Sequence, residues 1–317
     1  MEHVAGADPL STTRHYVAVG ADDRALRRSH QSGALVRVRR GAYAATSEWA
    51  LLRDDERYDL RIAAVLATRR SEVVLSHHSA ARLWGLPLID WPSVVHITEP
   101  LDSRRRSKNG VAVHRRDLDA SSVTVLGDVR VTTLIRTLID LACDAAFRDA
   151  VAAIDCARSR YGEALSLEVL LRALDFFGSR NTSRARRATE FSTDLAMSPL
   201  ESFSRVVIAE LGFPEPVLQH VVRTRRGRRL TDFWWPAERV MGECDGKVKY
   251  EDVRFLAGRS AADVVWDEKL RENELSDDGV RFARWTWSEC AEPWRLATRL
   301  RAAGLRQSPT APRVKVN

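Results

Sequence analysis

The chain has 317 residues, of which 44% are hydrophobic and 29% are charged, and its formal net charge is +7. This length predicts about two or three globular domains. With the helix and strand patterns described below, we expect a multidomain α/β protein. The apolar runs are too short to span a bilayer, which excludes a transmembrane helix and argues against a membrane partner. The basic balance favours DNA as a partner, because Arg and Lys side chains that neutralise phosphates release counterions.

The first residues and the cysteines bear on the cellular compartment. Residues 1–4 have neither a basic region nor an apolar segment of the kind that directs secretion, so we expect the protein in the cytoplasm. The four cysteines stand singly, without the close pairs typical of zinc sites or disulfide frameworks. We interpret Cys143, Cys156, Cys244 and Cys290 as core or incidental thiols.

Residues 1–50 form the first predicted module. Residues 11–19 and 22–31 have the pattern of two short helices joined by a turn at 19–21, which is the spacing of a helix-turn-helix. In that motif the second helix contacts the bases of DNA. The arginines of this helix that we expect to contact DNA are Arg24, Arg27 and Arg28.

A strand-like run, G-A-L-V-R-V-R-R-G-A-Y, follows at residues 33–43. Alternation places Leu35, Arg37 and Arg39 on one strand face, with Arg40 next, and a glycine turn ends the run, as in the wing of a winged helix. The run resembles the N-terminal winged-helix domain of AbiEi-type antitoxins of type IV toxin–antitoxin systems. The resemblance implies DNA binding and a cognate toxin protein as a partner. The alternative is that these arginines form a solvated face of a small packing domain.

Residues 51–178 form a predicted α+β middle region. Short β-branched runs at 73–75, 94–97 and 111–114 predict strands, and residues 132–177 are predicted to be helical. The apolar face of the last predicted helix consists of Leu167, Leu170, Leu171, Leu174 and Phe177.

The antitoxin resemblance continues through residues 75–86 and 131–138. The first of these segments contains His77 and His78 beside serines at a predicted helix start. Histidines at such a position can act as ligands or bases, but capping and packing are the favoured roles. The polar, arginine-rich segment 178–187 predicts the boundary to the C-terminal domain.

The C-terminal domain begins with a helix and a hairpin. The segment S-P-L-E at 198–201 predicts a helix start, with its serine as the N-cap and Glu201 three residues later. Strands at 217–222 and 230–236 are joined by an arginine-rich turn. Asp232 lies between large apolar residues of the second strand, where an unpaired carboxylate is costly, so it needs a cation or a donor. The turn arginines that we expect to contact DNA are Arg225, Arg226 and Arg228.

A third strand at 240–249 presents two different faces, because side chains alternate along an extended chain. One face carries two acids followed by two amines, Glu243, Asp245, Lys247 and Lys249. The structural alternative is that these charges form a solvated edge of the sheet.

Asp232, Glu243 and Asp245 would converge if a hairpin joins their strands, and Mg²⁺ or Mn²⁺ takes such oxygen ligands. Phosphodiester hydrolysis uses such an ion to polarise the phosphoryl group, with a lysine beside the attacking water. The 50 basic residues include five lysines, and two of them, Lys247 and Lys249, lie on this strand. A lysine can lose its proton where its pKa is depressed, whereas an arginine cannot. The sequence therefore predicts a metal-dependent site here.

The order of an acid-bearing helix, Asp232 and E-C-D-G-K-V-K-Y at 243–250 resembles the PD-(D/E)XK endonuclease superfamily. It looks more closely like the Vsr-like domain of unknown function, which is related to very-short-patch repair endonucleases. The likeness includes R-W-T-W at 284–287 and implies a three-layer α/β/α domain, which we place at 190–305, with a disordered tail at 306–317.

The same resemblance implies roles for individual residues. Asp232 with Glu243 or Asp245 would hold the metal, and one of the two lysines, Lys247 or Lys249, would assist the attacking water. Glu201 would be the helix acid that some members of the superfamily place at the site. The alternative is that Glu201 only completes a capping box at the start of the helix. The proline that precedes the first acid in the family pattern is absent, since Thr231 precedes Asp232.

Two main functions compete at this point. The first is an endonuclease that a winged helix delivers to DNA and that hydrolyses a phosphodiester with Mg²⁺. The second is an antitoxin-like transcriptional regulator whose nuclease-like fold is inactive and grips DNA or a protein. A third and weaker possibility is a toxin–antitoxin component that binds protein through its middle helices.

Overall fold

The computed structural model of the chain describes residues 10–14, 23–69, 71–177, 181–224, 227–245 and 279–308. Within these ranges the protein is a mixed α/β structure with three sheets. None of the described helices is long and apolar enough to cross a membrane. The chain divides into two compact units, Met1–Ala145 with Arg172–Ala185, and Ala146–Leu171 with Arg186–Asn317. The division into three domains stays a prediction.

A small three-stranded sheet opens the first unit. Its strands lie in the order β1-β3-β2, and each neighbouring pair is antiparallel. The elements of this part are β1 (Ser11–Thr12), α1 (Asp23–Gln31), β2 (Leu35–Arg39), β3 (Ala42–Ala45), α2 (Thr46–Leu51) and α3 (Asp54–Thr68).

The prediction of a helix from residue 11 was wrong at its start. Ser11 pairs with Tyr43 as part of a strand, because the neighbouring Leu10 packs in a buried cluster with Ala42 and Ala64 and holds this stretch against β3. Thr13 and Arg14 are helical, as predicted, and the remainder of the predicted helix and its turn, residues 15–22, lie outside the described residues. The second predicted helix is present as α1.

A five-stranded mixed sheet forms the rest of the first unit, in the order β6-β5-β4-β8-β7. The strands predicted in this region are all present, and Leu75, Ile97 and Val131 are fully buried in its centre. The elements are β4 (Val74–Leu75), α4 (His77–Leu83), β5 (Val95–Glu99), β6 (Val111–Arg115), a 3-10 turn (Ala120–Ser122), β7 (Val123–Leu126), β8 (Val129–Thr132) and α5 (Leu134–Asp144).

Helices precede the last sheet along the chain. The apolar face predicted for the helix that ends at Phe177 is confirmed at its centre, since Leu170 and Leu174 are fully buried and the other three members of that face are partly buried. The polar stretch expected at the domain boundary is helical from Thr182 onward. The elements are α6 (Phe147–Tyr161), a 3-10 turn (Gly162–Leu165), α7 (Leu167–Phe177), α8 (Thr182–Phe191) and α9 (Pro199–Glu210).

A four-stranded sheet in the order β12-β11-β10-β9 forms the centre of the second unit. The predicted hairpin is present as antiparallel β9 and β10; β11 is antiparallel to β10 and parallel to β12. The elements are β9 (Val217–Thr224), β10 (Gly227–Trp235), β11 (Val240–Asp245), β12 (Arg281–Thr286), α10 (Trp287–Ala291) and α11 (Pro293–Ala302).

The end of the chain remains attached to the second unit as far as it is described. Nε2 of Gln307 donates to the carbonyl of Leu211 at 2.7 Å, and the amide of Ser308 donates to the carbonyl of Gly212 at 2.8 Å. The predicted disordered tail therefore does not begin at residue 306. The rest of that tail, residues 309–317, lies outside the described residues.

Candidate active site

Glu201 lies in the first turn of α9, where the predicted N-cap is confirmed because Oγ of Ser198 accepts the amide of Glu201 at 3.2 Å. The Glu201 carboxylate is buried, and its partners are Met197 and Gln219 rather than the N-cap amide that a capping box would use. Its Oε2 accepts the amide of Met197 at 2.9 Å and Nε2 of Gln219, from β9, also at 2.9 Å. Burial raises the pKa of Glu201, and the negative charge of Asp232 adds to that rise. Two donors and an anionic neighbour thus surround this carboxylate.

Asp232 lies on β10 between the buried residues Thr231 and Phe233. Its Oδ2 accepts the backbone amide of Cys244 on β11 at 3.1 Å, so a neighbouring strand supplies the donor that a carboxylate among apolar residues needs. Ligand atoms of Asp232, Glu201 and Cys244 all lie within 4.8 Å of one another. The structure therefore groups Asp232 with the helix acid and a thiol, and not with Glu243 and Asp245, the other two acids of the predicted metal set.

Glu243 and Asp245 lie on the same face of β11, as the alternation predicts, and both contact Arg284. Nη2 of Arg284 donates to Oε2 of Glu243 at 3.2 Å, and its Nε lies 3.2 Å from Oδ2 of Asp245. Glu243 and Arg284 are direct partners in the parallel register of β11 and β12. The arginine therefore supplies the positive charge next to this pair of acids.

Opposing influences act on Glu243. Burial raises its pKa, the Arg284 guanidinium lowers it, and the negative charges of Asp232 and Asp245 raise it further. Asp232 therefore raises the pKa of Glu201 on one side and of Glu243 on the other. The four acids form one electrostatically connected group on α9, β10 and β11, to which we refer below as the acidic group.

Two parts of the predicted site cannot be placed. Lys247 and Lys249 lie outside the described residues, as do Arg225 and Arg226 of the hairpin turn. The choice between Glu243 and Asp245 as the motif acid stays open, since both acids contact Arg284. Sequence reasoning did not single out Arg284, although its place in the R-W-T-W strand was a usable signal.

The arginines predicted to contact DNA differ in exposure. A β-bulge between Arg37 and Arg39 interrupts the pairing of β2 with β3. Arg37 is exposed, whereas Arg39 is partly buried, and its pKa is lowered by burial and by the positive charge of Arg69. Arg39 therefore does not share the exposed face that alternation predicted. The exposed members of the predicted set are Arg24, Arg27, Arg28, Arg37, Arg40 and Arg228.

A second group of titratable side chains lies in the first unit. The rings of His77, His78, His96 and His114 lie against one another, and Oδ2 of Asp144 is 3.2 Å from Nε2 of His77. Sequence reasoning favoured packing roles for the first two histidines and did not single out the others. The signal that could have identified His96 and His114 was their position, because both lie within predicted strands and were therefore expected in the sheet.

The interior of the first unit favours the neutral form of two of these imidazoles, those of His96 and His114. Burial, followed by the neighbouring histidines, lowers the pKa of His96 to about 2. Burial, followed by His77, lowers the pKa of His114 to about 3. The hydrogen bond from His77 and the charge of Arg116 lower the pKa of Asp144 to about 2, so its carboxylate is ionised at neutral pH. The neutral rings of His96 and His114 therefore belong to the same group as an anionic carboxylate.

No family model matches the sequence. The chain is similar to two proteins of Mycobacterium tuberculosis, uncharacterized protein MT2308 (strain CDC 1551 / Oshkosh) and uncharacterized protein Rv2248 (strain ATCC 25618 / H37Rv). Each is 29% identical over 279 residues, covering 85% of this chain and 92% of the relative. Among solved structures the chain is similar to the RV2827C protein from Mycobacterium tuberculosis, at 18% identity and a TM-score of 0.37, covering 62% of this chain and 75% of that one.

Proposed function

We propose that the second unit is a metal-dependent endonuclease of the PD-(D/E)XK type, similar to Vsr-like domains, and that it hydrolyses phosphodiesters of DNA. The observation that carries the proposal is the position of Asp232, whose carboxylate lies within 4.8 Å of ligand atoms of Glu201 and Cys244 and whose charge adds to the rise in the pKa of both Glu201 and Glu243. Repulsion among partly buried carboxylates is relieved by a cation. Such a cluster is more typical of a functional site than of a structural one.

The order of elements supports the same proposal. An acid-bearing helix is followed by a hairpin that carries Asp232 and by a third strand that carries Glu243 and Asp245. That order is the basis of the resemblance to the endonuclease superfamily. Hydrogen bonds to Cys244 and Gln219 hold the carboxylates of Asp232 and Glu201 in place.

The donor set fits Mg²⁺ or Mn²⁺ in part. The atoms that converge within 4.8 Å include two carboxylates, from Asp232 and Glu201, which are the hard ligands that these ions prefer, and the soft thiol of Cys244, which is not; Glu243 lies outside that convergent set. When bound, the ion supplies the positive charge that polarises a phosphoryl group. Asp232 is the shared neighbour of the other two acids, and we therefore assign it the central ligand role.

The first unit would bring the chain to DNA. We propose that α1 and the β2–β3 hairpin form a winged helix and that Arg24, Arg27 and Arg28 contact DNA, because all three are exposed on one short helix. Arginines on a helix that enters the major groove contact phosphates and base edges.

One observation favours the second function, an antitoxin-like regulator with an inactive nuclease fold and a cognate toxin as partner. Arg284 lies within ion-pair distance of both Glu243 and Asp245. A guanidinium in that position neutralises the acids without a metal. Such an arrangement suits a protein that binds DNA but does not cut it. The two functions differ in whether the acidic group is needed for chemistry.

A nicking assay separates the two functions. The full chain is incubated with supercoiled plasmid and Mg²⁺ or Mn²⁺, beside the variants Asp232→Asn and Glu243→Gln and the control Glu215→Gln, an exposed acid of the same unit. An endonuclease nicks the plasmid as wild type and control, and both site variants lose that activity. Absence of nicking by the wild type, with DNA still retained in a gel shift, supports the regulator.

The DNA-binding assignment has its own test. The triple variant Arg24→Gln, Arg27→Gln, Arg28→Gln should bind DNA more weakly, and the salt dependence of its affinity should fall by about 0.9 per lost phosphate contact. Arg130→Gln, which removes an exposed arginine of β8, is the control. An unchanged salt dependence in the triple variant would show that α1 is not part of the DNA interface.

A further inference from the structure

Four of the eight histidines of the chain meet in the first unit. His77 and His78 begin α4, His96 lies on β5 and His114 on β6. Asp144, the last residue of α5, joins them. Separate elements of the fold thus bring imidazole nitrogens and a carboxylate to one point, which is independent of the acidic group in the second unit.

We propose that His77, His114 and Asp144 bind a divalent transition-metal ion such as Zn²⁺. Oδ2 of Asp144 lies 3.2 Å from Nε2 of His77 and 3.8 Å from Nδ1 of His114. The three ligand atoms all lie within 4.8 Å of one another. Two ligands of a tetrahedral zinc ion are about 3.3 Å apart, given bonds of about 2.0 to 2.2 Å. Modest displacements therefore bring the three atoms to coordination distances.

The second nitrogen of each ligand ring already has a partner. Nδ1 of His77 lies 3.0 Å from Oγ of Ser76, and Nε2 of His114 lies 2.9 Å from Nδ1 of His96. Histidines that bind metals almost always use their other nitrogen in such a hydrogen bond, which fixes the tautomer and the ring orientation. His96 and Ser76 are the positioning residues of this site.

Binding requires two local adjustments. The rings of His77 and His114 stack with centroids 3.6 Å apart and planes 18° apart, so one ring turns about its Cβ–Cγ bond to direct its nitrogen at a shared ion. That torsion is broad for histidine. Nη2 of Arg116 donates to Oδ2 of Asp144 at 2.7 Å and moves away when the ion takes that oxygen.

The donor types select the class of ion. Two imidazoles and one carboxylate suit Zn²⁺ and its neighbours in the first transition series, whereas Mg²⁺ prefers oxygen ligands alone. His77 is 1% exposed, but the side chains of His114 and Asp144 are 19% and 22% exposed, which gives an ion access from one side. Three protein ligands leave a fourth position for water or another molecule.

The test uses the full chain carrying Asp232→Asn and Glu243→Gln, which removes two of the four acids of the acidic group, including the central one. This background protein is stripped with a chelator and titrated with Zn²⁺ against a chromophoric chelator, and with Co²⁺ while its visible absorption is recorded. We expect one bound Zn²⁺ and the intense absorption of a low-coordinate Co²⁺ site. Adding Asp144→Asn or His114→Gln should weaken the binding of Zn²⁺ by more than about 100-fold, beyond the loss typical of an outer-shell change.

Matched controls keep the test decisive. Asp128→Asn and His30→Gln change an exposed acid and an exposed histidine of the same unit and should leave the affinity for Zn²⁺ unchanged. Zn²⁺ should raise the thermal midpoint of the background protein but not of Asp144→Asn, whose amide keeps the size of the carboxylate. Equal affinity for Zn²⁺ in the background protein and in Asp144→Asn overturns the proposal. Because every sample lacks Asp232 and Glu243, the result is independent of whether the chain cuts DNA.

Discussion

Nη1 of Arg205 donates to Oδ2 of Asp155 over 2.9 Å in the interior of the second unit. The two side chains are 8% and 0% exposed, respectively. Asp155 also accepts the amide of Thr193 at 2.7 Å, and Nη2 of Arg205 donates to the carbonyl of Phe191 at 2.7 Å. The pair thus joins α6 and α9 to the end of α8 and to the segment that follows it.

Replacement of Arg205 by methionine should destabilise the protein by about 3–5 kcal/mol, because it leaves the Asp155 carboxylate buried without its cation. The free energy of unfolding from urea titrations measures the effect. Arg295→Met, which breaks an exposed pair with Glu292, is the control and should cost about 1 kcal/mol or less. A loss for Arg205→Met no larger than that of the control would contradict a structural role of the pair.

The stability of the first unit should fall as the pH falls from 7 to 5. The folded-state pKa values of His96 and His114, about 2 and about 3, lie below the unfolded value of 6.5. The unfolded chain therefore takes up protons first, and the stabilisation is complete above pH 6.5 and is lost as the pH falls toward the folded values. The expected loss over this interval is about 2 kcal/mol for each histidine.

The measurement is urea unfolding at several pH values in the presence of a chelator, so that no metal ion contributes. His96→Leu removes one titrating ring and should reduce the slope of stability against pH. His30→Gln changes an exposed histidine of the same unit and should leave the slope as it is. If the slopes of wild type and His96→Leu coincide, His96 is not held neutral in the folded protein.

Gly242 on β11 should not tolerate even alanine. A Cβ atom there would lie 2.9 Å from ring atoms of Trp235 and of Trp285 and 3.0 Å from Cβ of Phe233. Both tryptophans are buried and cannot move aside without disturbing the core. Gly242→Ala should therefore cost about 1–3 kcal/mol, measured by the midpoint of urea unfolding. An unchanged midpoint would show that the sheet next to the acidic group adapts to an added methyl group.

Arg284 should weaken the binding of divalent ions to the acidic group, because its guanidinium competes for oxygens of Glu243 and Asp245. Arg284→Gln should raise the affinity for Mn²⁺ by about tenfold, equivalent to about 1.4 kcal/mol. Electron paramagnetic resonance of free Mn²⁺ measures the affinity. Arg299→Gln, which breaks a pair with Glu289 elsewhere in the unit, should leave it unchanged. A lower affinity for Mn²⁺ in Arg284→Gln would mean that the arginine supports the site.

Local patterns sufficed for much of the second unit. Alternation along β11 placed Glu243 and Asp245 on one face, and the S-P-L-E segment correctly placed the start of α9, because both depend on neighbours within a few residues. The start of the chain was less predictable. Ser11 and Thr12 became a strand, since their conformation depends on pairing with β3, whose partner residues are about thirty positions away.

The amino-acid sequence by itself determined which chemistry is available: clustered acids around one hairpin, arginines on a short helix, and histidines at a predicted helix start and in predicted strands. Only the tertiary structure decided which of these side chains meet. Asp232 lies beside Glu201 and Cys244, Arg284 lies between Glu243 and Asp245, and distant histidines stack beside Asp144. The physical reason is that strand register and helix packing act over long sequence separations, whereas periodicity reports the face on which a residue lies and not the residue that it faces.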